Sequence, residues 1–207
     1  EGKDVVASVM VSGQAAEGPS LTYPLGSKVS LQSRADQQMI RIATAALQSH
    51  AYHVASPVLT SLVYREAEML NNSPLDFLGG PIHVYLDGHF VGRSEVESIA
   101  RGQNLVVGFG ADPQIRSRRE QVDRTEHVQG GNKRTTFRYR IVVENFKERP
   151  ATLRIFDRVP HAERPEDLRI SMGETSAPFS TDPVYVRVEK PKGILRWDVE
   201  VPAGSSG

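Results

Sequence analysis

An Asp-Gly pair at residues 87 and 88 is the feature that most restricts how this chain can fold. Asp-Gly suits a two-residue type I′ turn, because both central residues then take positive φ at low cost. Short apolar-rich runs flank the pair, and together they predict a β-hairpin. Its register pairs Leu86 with His89, Tyr85 with Phe90 and Val84 with Val91. An aromatic pair then lies on one face and a valine pair on the other, so we expect both faces to be partly covered.

A second, longer hairpin is predicted over residues 115–143, with Gly130-Gly131 as its loop. Its return strand alternates apolar and polar side chains with the period of two that is typical of a β-strand. Three favourable cross-strand pairs result: Asp123 with Arg138, Thr125 with Thr136, and Val122 with Tyr139. The same register places Arg124 opposite Phe137 and Glu120 opposite Ile141. That face is therefore expected to be either wet or covered by other elements.

Further short strands are separated by turn residues, and their spacing is typical of an immunoglobulin-like sandwich. They are predicted at residues 5–11, 21–23, 28–31, 105–110, 151–156, 168–172, 184–188 and 194–201, with a turn at Asp112-Pro113. Trp197 is the expected core anchor of the last strand. Residues 39–47 are compatible with helix or strand, and strand is favoured. Residues 59–70 are also ambiguous, since 65–70 have high helix propensity.

The predicted fold class is all-β and mainly antiparallel. We expect two β-sandwich-like subdomains, an N-terminal one over residues 1–112 and an immunoglobulin-like one over residues 113–207. The long hairpin at residues 115–143 joins them and belongs to the second.

Composition excludes several classes of protein. Basic and acidic residues number 25 each, so no global field recruits nucleic acid or anionic membrane. The absence of cysteine excludes disulfides, thiolate metal sites and thiol nucleophiles. No apolar run approaches the roughly 20 residues that span a bilayer, so the chain is predicted not to cross a membrane. The first four residues show no signal peptide pattern, and the last four, Gly204-Ser205-Ser206-Gly207, resemble a linker. Both features are expected of a piece of a longer protein.

The common catalytic signatures are missing from the sequence. It contains no glycine-rich phosphate loop, zinc-protease motif, nucleophile elbow or calcium loop. His50 and His53 could share a metal ion on a helix, but in a strand they point to opposite faces. Asn71-Asn72-Ser73 matches a glycosylation sequon that carries no weight, because such matches are common by chance. We therefore predict no catalytic residue, no cofactor and no metal.

Two segments are candidate binding surfaces. Residues 115–140 hold eight basic residues against three acidic ones, an excess of five positive charges. Such an excess fits an anionic partner, although the favoured interpretation is a solvated ribbon whose charges prevent aggregation. The polar segment 33–38 is either a binding loop or, as favoured, a hydrogen-bonded connector. The candidate surface residues are Arg34, Asp36, Gln37, Arg116, Arg118, Arg119 and Arg134.

A series of short segments resembles the C-terminal domain of mucoidy-inhibitor-A-like bacterial proteins. The series spans about residues 20–203 and includes Leu31-Gln32-Ser33-Arg34-Ala35-Asp36-Gln37-Gln38, Tyr85-Leu86-Asp87-Gly88-His89-Phe90, Gly108-Phe109-Gly110-Ala111-Asp112-Pro113 and Gln129-Gly130-Gly131-Asn132. The resemblance implies a β-rich domain of unknown function, which in such proteins follows a smaller domain and a coiled coil. The family name implies a role in the cell envelope, and no catalytic residues can be transferred.

Three functions remain open. The leading hypothesis is a non-enzymatic interaction or structural module that meets a protein partner or other domains of its parent chain. The second is a carbohydrate-binding module of the envelope, which needs an exposed aromatic platform; its candidates are Tyr23, Tyr52, Phe77 and Tyr185. The third is a hydrolase that pairs an acid such as Asp36 or Glu66 with a histidine. Polysaccharide is a possible partner and nucleic acid a weaker one, and a periplasmic or envelope location is slightly favoured over the cytoplasm.

Overall fold

The computed structural model of the chain describes residues 5–9, 23, 40–160 and 168–206. These residues form an all-β protein, as the sequence predicts, with a single short helical segment, Tyr185–Glu189 followed by the 3-10 turn Lys190–Lys192. The strands are β1 Val5–Val9, β2 Ala43–Ala55, β3 Leu62–Leu70, β4 Gly80–Leu86, β5 His89–Val96, β6 Asn104–Gln129, β7 Asn132–Asn145, β8 Ala151–Arg158, β9 Ile194–Val201 and β10 Ser205–Ser206. Among these residues, no helix has the length and apolarity needed to cross a membrane.

Two sheets contain all of these strands. The larger has the order β10-β7-β6-β3-β2-β8-β9, with β1 also paired to β2, and the smaller consists of β4 and β5. Pairing is mainly antiparallel, but β2 and β8 run parallel, with His53 opposite Leu153. Antiparallel neighbours joined by short turns include β6 with β7 and β4 with β5.

The structure separates into two compact units, each with its own core. Unit 1 contains residues 1–50 and 67–109, and its buried core is Leu47, Met69, Phe77, Val84 and Val107. Unit 2 contains residues 51–66 and 110–207, and its core includes Ala55, Val63, Ile115, Val143 and Leu153. Trp197 packs against the unit 2 core from a half-buried position, so it lies at the margin of that core. The boundary after residue 112 and the immunoglobulin-like topology stay predictions.

The two ambiguous segments both form strands. Strand β2 begins at Ala43, within the segment 39–47 that the sequence predicts to be a strand. Strand β3 covers Leu62–Leu70, where helix propensity is high. Val63, Ala67 and Met69 are buried along β3, and because these positions differ by even numbers of residues, their side chains lie on one face of the strand. Because β3 lies between β2 and β6 in the sheet, pairing on both edges overrides local propensity.

One predicted turn and two predicted strands are wrong. No turn interrupts the chain at Asp112-Pro113, because β6 runs through both residues. Residues 184–188 are helical rather than extended: the Asp182 side chain accepts the Tyr185 N–H at 2.8 Å, and its carbonyl accepts the Val186 N–H. Residues 168–172 form no strand and are exposed, so they have no core to cover. The predicted strands at 21–23 and 28–31, Tyr23 apart, lie outside the described residues.

The Asp87-Gly88 hairpin forms with a two-residue turn, in which Asp87 has φ 51° and Gly88 has φ 81°. Leu86 pairs with His89 and Tyr85 with Phe90, as predicted. The third predicted pair is wrong, because a β-bulge places Val84 opposite Gly92. Val84 packs in the unit 1 core, but Tyr85 and Phe90 are each 55% exposed. Within the part of the chain that the structure describes, one face of this hairpin is therefore covered and the face with Tyr85 and Phe90 is exposed.

Candidate functional site

The β6–β7 hairpin, called the arm below, contains most of the predicted surface residues. Gly130 and Gly131 close it with φ values of 59° and 81°, which a type I′ turn requires. Asp123 pairs with Arg138 and Thr125 with Thr136, which confirms two of the three predicted pairs.

The third pair is wrong because the arm contains a bulge. Tyr139 lies opposite Gln121, and Val122 is the extra residue between Gln121 and Asp123. Relative to the predicted register, this extra residue moves each side chain that precedes it on β6 to the opposite face of the sheet. Arg119, rather than Glu120, therefore lies opposite Ile141, while Ile115 and Ser117 turn into buried positions.

One face of the arm contains an aromatic–arginine ladder, defined as Arg124, Phe137, Tyr139 and Arg119. The Phe137 and Tyr139 rings stack with centroids 6.0 Å apart and planes 11° apart. The Arg119 guanidinium lies 3.5 Å from the centroid of the Tyr139 ring, and that of Arg124 lies 5.6 Å from the Phe137 centroid. Arginine over an aromatic ring is attracted by the negative ring face. The two rings are thus held between two planar cations.

Ion pairs extend this ladder at both ends. Arg119 donates to the buried carboxylate of Asp157 at 2.9 Å, which ties the ladder to β8. Towards the turn, Arg124 and Lys133 both contact Glu126, at 2.5 and 3.0 Å. The hydrogen bonds from Lys133 and Arg124 lower the pKa of Glu126. Each of the two ladder arginines therefore has a carboxylate partner in addition to the ring that it faces.

The opposite face of the arm is basic. Arg118 contacts Glu120 at 2.8 Å and Glu144 at 3.0 Å, and its hydrogen bond lowers the pKa of Glu120. Arg140 lies 3.9 Å from Glu120. Three further arginines form no ion pair with the described residues: Arg116, Arg134 and Arg138. Five of the eight basic residues at 115–140 thus have an acidic neighbour: Arg118, Arg119, Arg124, Lys133 and Arg140.

A second polar centre lies in unit 2, around the buried carboxylate of Asp112. Its Oδ2 accepts hydrogen bonds from His53 Nε2 at 3.0 Å, from Arg65 Nη2 at 3.3 Å and from Lys147 Nζ. Its Oδ1 accepts the Gln114 N–H at 3.1 Å. Strands β2, β3 and β6 and the turn after β7 each contribute one side chain to this Asp112 cluster. Only Arg65 is more than about a tenth exposed.

The electrostatics of the Asp112 cluster favour a charged aspartate and a neutral histidine. Burial would raise the pKa of Asp112, but the hydrogen bonds from Lys147, Gln114 and His53 lower it to about 2. Burial lowers the pKa of His53, the Asp112 hydrogen bond opposes that change, and the Lys147 charge adds to it. Since Nε2 donates to Asp112, Nδ1 of the neutral ring carries no proton. This buried Nδ1 has no hydrogen-bond partner among the described residues.

A family profile described as a domain of unknown function, DUF4139, matches residues 5–207 of the chain. The chain belongs to the DUF4139 family. Protein F37C4.5 of Caenorhabditis elegans is 24% identical to this DUF4139 domain over 197 residues, which cover 89% of the chain and 34% of the relative. The domain thus spans about a third of that relative's length. No solved structure matches it significantly.

The predicted surface residues of the DUF4139 domain fall into three groups. Arg116, Arg118 and Arg134 lie exposed on the basic face of the arm. Arg119 is half-buried in the ladder, where its charge is matched by Asp157. The loop residues Arg34, Asp36 and Gln37 lie outside the described residues. Whether these residues form a binding surface stays a prediction.

The Asp112 cluster of the DUF4139 domain was missed by sequence reasoning, because Asp112-Pro113 is typical of a turn and Lys147 carries no local signal. The cluster contains the carboxylate–histidine contact that a hydrolase would need. However, three donors occupy the same carboxylate oxygen, and the remaining lone pair of His53 is inaccessible. A general base must reach the proton that it abstracts. The geometry suits a structural link between strands, and the hydrolase stays a hypothesis.

The candidate sugar-stacking residues do not form an exposed platform. Tyr52, Phe77 and Tyr185 are buried, and Tyr23 is half-buried with its hydroxyl donating to the Asp76 carbonyl. The exposed aromatic pairs of the DUF4139 domain are instead Tyr85 with Phe90, and Phe137 with Tyr139. The alternating sequence around each hairpin loop was the signal that could have identified them.

Proposed function

We propose that this domain is a non-enzymatic interaction module, and that the arm binds a protein partner or another part of the parent chain. The observation that carries the proposal is the aromatic–arginine ladder on the arm. Phe137 and Tyr139 are 46% and 39% exposed although they are stacked and held between two arginines. Every described side chain at residues 121–128 and 136–140 is exposed. Such a surface is available for a partner.

Pre-ordering makes the ladder suited to binding. Fixing a long side chain on association costs about 0.5–1.5 kcal/mol. In the ladder, Arg119 and Arg124 are already held by ion pairs and rings, so much of that cost is met on folding. Aromatic residues and arginine are also enriched among the residues that dominate binding energy at interfaces.

The mixture of groups on the arm favours a protein over a polyanion. Exposed Val122 and Val128 accompany the rings, and apolar groups suit a protein surface. Nucleic acid or polysaccharide binding would draw on unpaired positive charge, and here Arg118, Arg124, Lys133 and Arg140 have acidic neighbours. The buried positions of Tyr52, Phe77 and Tyr185 remove further support from sugar stacking.

The context of the partner follows from the family. The chain covers a third of the relative's length, so other domains of a longer parent chain are natural partners. The resemblance to mucoidy-inhibitor-A-like proteins is the basis for proposing a periplasmic or envelope location. The partner is therefore to be sought among the other domains of the parent chain and among proteins of the periplasm or cell envelope.

A photo-crosslinking experiment tests the proposal. Benzoylphenylalanine replaces Val128 in the full-length parent protein, and irradiation is carried out in the cells that make it. Leu59 is the matched control position, because both side chains are 74% exposed. We expect one defined protein or intramolecular adduct from position 128 and none from position 59. Adducts of equal pattern at both positions would contradict a partner site on the arm.

A second experiment uses the partner found by crosslinking as a purified protein or domain. Phe137→Ser with Tyr139→Ser is expected to weaken its binding by roughly thirtyfold, the equivalent of about 2 kcal/mol. Tyr85→Ser with Phe90→Ser removes the other exposed aromatic pair and is the matched control. If both double variants bind equally well, the ladder is not the binding surface.

A further inference from the structure

The outer edge of β7 already accepts an added strand at the base of the arm. There β10 pairs antiparallel with β7, with Ser205 opposite Asn145 and Ser206 opposite Glu144. No other strand of the described residues pairs with this edge of β7. Residues 132–143 therefore present an edge that continues an existing strand interface.

The backbone groups along that edge can be identified from the hairpin. In a hairpin with a two-residue turn, the two residues that flank the turn, here Gln129 and Asn132, form a hydrogen-bonded pair. Along two antiparallel strands, hydrogen-bonded pairs alternate with pairs that are not hydrogen-bonded. Every second residue of β7 therefore directs its N–H and C=O away from β6. Asn145 belongs to this outward set and is the residue that β10 meets. The other outward residues on the arm are Lys133, Thr135, Phe137, Tyr139, Ile141 and Val143.

The charge of β7 selects the kind of strand that can be added. Between residues 132 and 143 it has four basic residues and no acidic one. Two of the four, Arg134 and Arg138, form no ion pair with the described residues. Two copies of β7 paired edge to edge would juxtapose like charges, which is destabilising. An extended acidic peptide would instead find opposite charges beside it.

We propose that the outer edge of β7 binds an acidic peptide segment as an added antiparallel β-strand. The added strand continues the line that β10 begins and runs along the arm towards Gly130-Gly131. Main-chain hydrogen bonds to the outward residues supply affinity, and the arginines supply the preference for acidic side chains. This inference rests on the proposed function and names the partner's chemistry and its mode of binding.

The test uses the 207-residue chain and two fluorescein-labelled ten-residue peptides. One alternates glutamate with valine and threonine, and the other has lysine in place of glutamate. Thr135→Pro removes an outward N–H and leaves the bonds between β6 and β7 intact, which an edge strand tolerates. Thr135→Val keeps that N–H and is the matched control. Fluorescence anisotropy measures binding, and amide hydrogen exchange measures protection along β7.

The expected result has three parts. The acidic peptide binds and the lysine peptide does not. Thr135→Pro weakens binding about tenfold or more while Thr135→Val leaves it unchanged, since a lost main-chain bond and a ring at the edge both act against pairing. In the unmodified chain, the bound peptide protects the amides of Thr135 and Phe137 from hydrogen exchange. This measurement does not depend on whether a variant folds.

Two outcomes overturn the inference. Equal affinity of Thr135→Pro and Thr135→Val, or no amide protection with bound peptide, means that side chains alone hold the peptide. The proposed function survives that result if the Phe137 and Tyr139 variants still lose the partner found by crosslinking. If the peptide binds the outer edge of β7 as expected but the crosslinked partner binds both double serine variants equally well, the proposed function is wrong while the inference about the β7 edge still holds.

Discussion

Asn71 and Asn145 make the same local hydrogen bonds, one in each unit of the molecule. Each is fully buried, and each Oδ1 accepts the N–H two residues on, from Ser73 at 3.3 Å and from Lys147 at 3.1 Å. Each Nδ2 donates to the carbonyl four residues on, Leu75 at 2.9 Å and Arg149 at 3.0 Å. The side-chain amides thus hold the loops that follow β3 and β7. Burial also excludes Asn71 as a glycosylation site in the folded protein.

Asn145→Ala is expected to lower the free energy of unfolding by about 3 kcal/mol. Its amide also donates to the carbonyls of Val201 and Pro202, so the variant leaves several polar groups without partners. Urea denaturation measures the change. Asn72→Ala, at an exposed neighbour of the other asparagine, is the control and should change stability by less than about 0.5 kcal/mol. A loss for Asn145→Ala as small as that would contradict the loop-holding role.

Asp112→Asn is expected to destabilise the protein by about 3–5 kcal/mol. The substitution keeps the shape of the side chain but leaves the Lys147 and Arg65 cations without their buried counter-ion. Thermal and urea unfolding measure the effect, with the exposed Glu148→Gln as the control. Equal stability of the two variants would mean that the Asp112 cluster does not hold its strands together.

The stability of the protein is expected to fall as the pH drops below the ordinary histidine value of 6.5. Burial lowers the pKa of His53 in the folded state, so in this range the unfolded state binds the proton first and the free energy of unfolding decreases. Protonation at Nδ1 would also create a buried donor without an acceptor among the described residues. The pKa of Asp112, lowered from 3.8 to about 2, adds a second loss at lower pH.

The measurement is urea denaturation between pH 7 and pH 5, on the unmodified chain and on His53→Gln. The variant should show a shallower dependence on pH, because its side chain cannot take up the proton. His127→Gln, on the exposed part of the arm, is the matched control. Identical pH profiles for the unmodified chain and His53→Gln would rule out His53 as the source.

Arg119→Ala is expected to lower the free energy of unfolding by about 2–3 kcal/mol, since it leaves the buried Asp157 carboxylate without its cation and exposes the Tyr139 ring. Arg116→Ala, which removes an exposed arginine on the other face, should change stability by less than about 0.5 kcal/mol. Differential scanning calorimetry compares the two. Equal melting temperatures of the two variants would contradict a structural role of Arg119 and would support the solvated basic surface that the sequence predicts.

The sequence by itself determined both hairpins, because their signals are local. Asp87-Gly88 and Gly130-Gly131 impose positive φ at two adjacent positions, and alternation of side chains around them assigns the strands. From these signals the pairs Tyr85 with Phe90 and Asp123 with Arg138 follow correctly. The all-β class follows in the same way from short alternating runs.

Only the tertiary structure decided the bulges and the Asp112 cluster. A bulge such as that at Val122 forms because Ile115 and Ser117 must reach the buried face while Asp123 stays opposite Arg138, a compromise between distant parts of one strand. Likewise, β3 is a strand rather than a helix because β2 and β6 supply its backbone partners. Asp112 is buried because His53, Arg65 and Lys147 converge on it from separate segments. Local residue patterns contain hydrogen-bonding preference but not the partners that satisfy it, and those partners come together only when the chain folds.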